Sequence, residues 1–130
     1  MSKAAEGYRQ FHQDISNQTS IGAADGDTTL LTVRSTSHTI YIQTIEVFIS
    51  TDAAQSWSFE DSAATPVAIG SVPTSPGVGW RRVCDYEDSG FALTAGKNLV
   101  LNVSAAGLAG RVKWTGYQRL SSAMAVGSNN

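Results

Sequence analysis

Short runs of β-branched and aromatic residues fill the sequence from Thr28 to Leu120, with no helical period between them. Turn-forming clusters break these runs at spacings of roughly 8 to 12 residues, the pattern of an antiparallel β-sandwich or barrel. "TTLLTVRS" opens the series, and "STSH" turns it into Thr39–Ser50. After the loop "TDAAQ", "SWSFED" places Trp57 and Phe59 on one face. The segment "SAATPVAIGSVPTSPGVG" holds all three prolines, so it leaves room for only a short strand near Val67–Ile69. "WRRVCDYED" resumes the strand pattern, and three more short strands follow, with turns at "TAGKN" and "SAAGLAG". Leu99, Leu101 and Val103 share one face of their strand, as do Val112, Trp114 and Gly116 of theirs.

One strand does not follow the alternation. In "TIYIQTIEVFIS", residues 39–50, Ile40, Ile42 and Phe48 have one parity, and Tyr41, Ile45, Val47 and Ile49 have the other. Two readings account for a strand that is apolar on both sides. A β-bulge near Gln43–Thr44 would exchange the core-facing parity partway along. Alternatively, Tyr41, Val47 and Ile49 form a contact patch at an oligomer interface.

The N-terminal 27 residues are polar, with isolated apolar side chains. Tyr8, Phe11 and Ile15 are spaced as on one face of a short helix, but an extended arm with anchoring side chains fits equally well. The expected organisation is therefore an arm over 1–27, a sandwich domain over 28–120 and a tail over 121–130. No apolar leader is visible in "MSKAAEGYRQ", and no run reaches membrane-spanning length, so synthesis in the cytosol without a cleaved leader is expected.

Only 15% of the 130 residues are charged, and 42% are hydrophobic. Small polar residues make up the balance, as on many contact surfaces. The charge is unevenly spread. Five basic and eleven acidic residues lie at or before Asp88, and four basic residues with no acid follow it. A net charge of −2 argues against general nucleic-acid affinity. The asymmetry suits steering one copy onto another, or reflects strands that mix both signs in space.

Motifs for catalysis are weak. His12 and His38 do not have a metal-ligand spacing, and "GxSxG" is absent. A Cys84–His38 pair would need geometry that the sequence does not supply, and Cys84 reads as a buried or half-buried structural thiol. The acids of "DYED" read as a solvated turn rather than a glycosidase pair. "ADGDTT" lacks the distal Glu of a calcium loop. Neither an enzyme nor a cofactor is expected. Among the aromatic residues, Trp57 and Trp114 read as core. Trp80, after "PGVG" and beside Arg81 and Arg82, is the candidate for contact with a partner or glycan.

Three stretches carry a resemblance: "TIYIQTIEVFIS", "WSFEDSAATPVAIGSVP" and "DYEDSGFALTAGKNLVLNVSAAGLAGRVKWTGY". The last runs from Leu93 through Ala95, Gly96, Leu99, Leu101 and Ser104–Ala106 to Gly110, Val112 and Tyr117. From Thr28 to Leu120 the chain resembles a group of small virion proteins of tailed bacteriophages. The resemblance implies a jelly-roll-like sandwich that assembles as a trimer on the capsid or in fibres. The expected function is that of a structural virion protein, a decoration or cement protein on the capsid surface. Its expected partners are itself, as a homotrimer, and the major capsid protein, with neither nucleic acid nor membrane. The arm residues Tyr8, Phe11 and Ile15 would anchor it. The alternative is a receptor- or carbohydrate-binding domain of a phage fibre or tail.

Overall fold

The β-branched and aromatic runs form strands in the computed structural model, which describes residues 12–23 and 26–121. In chain order these are β1 (His12–Ile21), β2 (Gly26–Leu31), β3 (His38–Thr51), β4 (Trp57–Asp61), β5 (Ala68–Val72), β6 (Gly79–Asp85), β7 (Phe91–Ala92), β8 (Leu99–Val103) and β9 (Ala109–Leu120). Strands β4 and β5 make the innermost hairpin. Outside it β3 pairs with β6, then β2 with β8, then β1 with β9, all antiparallel. One ribbon of paired strands thus folds over itself into two sheets, of order β1-β9-β3-β6 and β2-β8-β4-β5, with short β7 also on β3. That order is a jelly roll, so the all-β sandwich expected from the sequence is the fold.

The core fills the space between the sheets. Trp57, Phe59, Leu99 and Leu101 from the smaller sheet meet Ile40, Ile42, Ile45, Val47, Val112 and Trp114 from the larger one, all essentially inaccessible to solvent. Each such side chain contributes roughly 1.5–3 kcal/mol by leaving water. The mixed parity of β3 has a local cause. Opposite β9, Ile42 pairs with Gly116 but Thr44 pairs with Thr115, so Gln43 is an extra residue. This bulge lets Ile40 and Ile42 before it, and Ile45, Val47 and Ile49 after it, all point inward. A second irregularity falls between Ile49 and Thr51. Both bulges lie against glycines of β9. A Cβ at Gly116 would collide with the Tyr41 carbonyl oxygen, and one at Gly110 with that of Phe48. The close approach of β3 and β9 therefore requires residues without side chains there.

Asp61 closes one end of the sandwich. It is 1% exposed, and it accepts hydrogen bonds from the amides of Ala63 and Val67 and from both the amide and the hydroxyl of Thr94. It thereby ties the β4–β5 loop to the β7–β8 loop. Burial is the largest influence on its carboxyl and pushes its pKa up. The hydrogen bonds, led by those from Thr94, outweigh that and hold it below the ordinary value.

Residues 12–21, expected within a separate arm, are instead an edge strand of the larger sheet. They pair with β9 over their whole length, from His12 opposite Arg119 to Ile21 opposite Gly110. The alternation Ile15, Thr19, Ile21, diluted by polar neighbours, is that of an edge strand covering one side of the core. Ile15 lies half-buried against it. His38, read as a turn residue, is the buried first residue of β3.

Candidate interaction face

Register fixes what the outer face of the larger sheet presents, because residues directly opposite in antiparallel strands point to the same side. Four strands contribute to each cross-strand row. The first row runs Trp80, Phe48, Arg111, Ser20. The next is Arg82, Glu46, Lys113, Gln18. Then come Thr44 and Thr115, whose hydroxyls are hydrogen-bonded at 2.6 Å, and then Tyr41 with Tyr117.

The first row makes a cleft of ≈ 570 Å³, lined also by Ser50, Ile21 and Gly110. Trp80 is 61% exposed, and its ring is tilted by 56° against that of Phe48 at 5.3 Å. Arg111 is exposed and has no ionic or hydrogen-bonding partner among the described residues. In the second row, Arg82 is held by Glu46 at 2.8 Å and by Asp85 at 2.9 Å. At the far end, Tyr41 and Tyr117 stack at 4.7 Å with planes 13° apart, and the Arg119 guanidinium lies 4.9 Å from the Tyr41 ring centre. The Tyr117 hydroxyl donates to the Ser89 carbonyl at 2.6 Å, which fixes the stack to the loop before β7.

These positions revise the residue groups expected from the sequence. Tyr41 is on the outer face, but Val47 and Ile49 are buried in the chain's own core, 0% and 1% exposed. The Gln43 bulge separates them from Tyr41, so the three do not form one contact patch. Trp80 and Arg82 do share the outer face. Arg81, opposite Val47, points to the inner side at the sheet edge, where its Nη1 is buried without a hydrogen-bond partner. Of the anchoring residues, Tyr8 and Phe11 lie outside the described residues, and Ile15 packs on the chain's own core.

The groups weighed for catalysis are not brought together. Cys84 is opposite Ile45, seven residues along β3 from His38, or about 23 Å at the usual rise per residue. Burial above all pushes the Cys84 thiol up to about 11, so it is protonated at neutral pH. Burial, then the charge of Arg34, lowers the His38 pKa, and the ring is hydrogen-bonded to Ser35. Asp85 of "DYED" binds Arg82 and caps the amide of Glu87. Among the described residues, no group of three His, Cys, Asp or Glu side chains is placed to hold a metal ion.

Sequence reasoning missed Phe48, Arg111, Ser20 and Ser50 as cleft residues. Arg111 has the opposite parity to Val112 and Trp114, which signals an outward side chain. Phe48 becomes outward only once the Gln43 bulge is known. No protein-family model matches the chain, and no curated protein shows significant similarity to it.

Proposed function

We propose that this chain is a structural virion protein of a tailed bacteriophage, a decoration protein that binds the major capsid protein of the assembled head as a homotrimer. The observation that carries this reading is the outer face of the larger sheet. It is a four-strand surface with an exposed Trp80, a half-buried Phe48 and an Arg82 held by Glu46 and Asp85, and aromatic and arginine side chains are enriched in contact surfaces. The resemblance over Thr28–Leu120 supplies the virion context. A ligand that binds only the assembled lattice stabilises it by mass action, and three linked copies add avidity to weak single contacts. Copies meet through surfaces other than Val47 and Ile49, which belong to the core.

The aromatic cleft favours a second reading, a receptor- or carbohydrate-binding domain of a fibre or tail. Copy number separates the two. Quantitative mass spectrometry of purified virions should find hundreds of chains per particle for a decoration protein and only a few for a fibre tip. Absence from the virion would refute both. Light scattering on the isolated protein tests the trimer, and a monomer at micromolar concentration would remove it.

A further inference from the structure

We infer that the cleft between Trp80 and Arg111 binds a saccharide that carries a carboxylate. The inference deepens the carbohydrate-binding reading by naming the ligand's charge and the residues that read it.

The cleft's volume, ≈ 570 Å³, lies within the range of roughly 300–1,000 Å³ typical of small-molecule sites. Its parts stand in one cross-strand row on four neighbouring strands, so their spacing is set by the sheet and not by a loop. At one end Trp80 offers a largely exposed indole face, braced by Phe48. The C–H face of a pyranose stacks on such a ring, while its hydroxyls stay free to hydrogen-bond. Two strand spacings away, about 10 Å between backbone positions, stands Arg111. Its planar donors match a carboxylate bidentately, and no side chain among the described residues occupies them. Ser20 and Ser50 also line the cleft. Ser50 donates to the Ala109 carbonyl at 3.2 Å, which leaves its oxygen as an acceptor for a sugar hydroxyl.

The surrounding charge selects for an anion. Glu46, in the next row, is the nearest acid on this face by register among the described residues, and Arg82 already pairs with it. Lys113, opposite Glu46, adds a second cation on the side of Arg111. A neutral apolar peptide would leave Arg111 desolvated without a partner, which is costly. An acidic sugar satisfies both ends of the row.

The test uses the isolated, full-length protein. Intrinsic tryptophan fluorescence reports on Trp80, since Trp57 and Trp114 are buried. The probes are the trimers of galacturonate, glucuronate and mannuronate, together with 3′-sialyllactose and the methyl ester of each. At least one acid should bind, and its ester should bind about tenfold or more weakly, the effect of one charge-assisted pair. Arg111→Gln should abolish that acid–ester difference, and Trp80→Ala, which lacks the fluorescent reporter and is therefore titrated by calorimetry alongside the wild type, should weaken acid and ester alike. No binding by any probe up to about 10 mM would overturn the inference. So would equal affinity for acid and ester in the wild type, a comparison that needs no variant. Binding of polyglutamate without binding of any saccharide would overturn it in favour of an acidic protein partner. None of these results depends on copy number in the virion, so this inference and the head-or-tail assignment stand or fall separately.

Discussion

Asp61 offers the sharpest test of the fold, because one side chain holds two loops with four hydrogen bonds. Asp61→Ala would leave the amides of Ala63, Val67 and Thr94 and the Thr94 hydroxyl without their acceptor. A hydrogen bond to an ionised group contributes about 1.5–3 kcal/mol net, so simple addition would give roughly 6–12 kcal/mol. That sum is too large. Val67 and Thr94 are exposed, and water will replace part of what the carboxylate supplied. A loss of about 3–4 kcal/mol is expected, a large share of the roughly 5–15 kcal/mol that holds a domain folded. Asp61→Asn keeps the shape and one acceptor oxygen but turns an amide group toward the other pair of donors. It should cost about 2 kcal/mol. The pH dependence adds an independent reading. The folded carboxyl titrates below its ordinary value, so its contribution is fully present above the unfolded pKa, about 3.9, and fades as pH falls through the folded one. Urea denaturation at neutral pH and near pH 3 measures both effects. The wild type should lose more stability on acidification than Asp61→Asn does. Equal stability of wild type and Asp61→Asn at neutral pH, or identical acid sensitivity, would refute the assignment.

Three further outcomes follow from the packing. Gly116→Ala should cost about 1–3 kcal/mol in urea denaturation, since its Cβ has no room against the Tyr41 carbonyl; an unaltered midpoint would mean that β9 does not sit so close to β3. Val47→Asp should lower stability by about 4 kcal/mol or more, or prevent folding, because it buries an unpaired carboxylate in the core. A native-like circular dichroism spectrum and melting temperature would put Val47 on the surface instead. Cys84, with its thiol pushed up to about 11, should react with iodoacetamide at pH 8 about a hundredfold more slowly in the folded protein than in urea. Equal rates would show an accessible, ordinary thiol.

The parts of the fold that depend on strict alternation were legible in the sequence. Trp57 and Phe59, the Leu99–Val103 face and the Val112–Trp114 face all point where their parity directs. Two features were not legible, for different reasons. A bulge adds one residue without any marker of its own, so "TIYIQTIEVFIS" supports either a bulged strand or a two-sided one. Only pairing with β9 locates the extra residue at Gln43. The first strand was hidden by its polarity. An edge strand that covers a core already closed by its neighbours needs few apolar residues, and Ile15 and Ile21, six residues apart, look like isolated anchors. For the cleft, Trp80 stood out as an aromatic beside a glycine-rich turn. Its companions Phe48 and Arg111 are 32 and 31 residues away from it in sequence on other strands, and only register brings them into one row.

The position of β9 between β1 and β3 has a consequence for the order in which the protein can form. Translation delivers β9 last among the strands of the sandwich. Until then β1 has no strand to pair with, and the long edge of β3 that β9 will occupy is bare. The β4–β5 hairpin closes early because its loop is short, but the outermost pairing joins residue 12 to residue 119 and carries the largest loop-closure entropy. Such a topology folds slowly. It also leaves an apolar strand edge open to other nascent chains for as long as synthesis continues. Stalling translation just before Ala109 should therefore yield a species that recruits chaperones or aggregates. Release of a further twelve residues should let the larger sheet close.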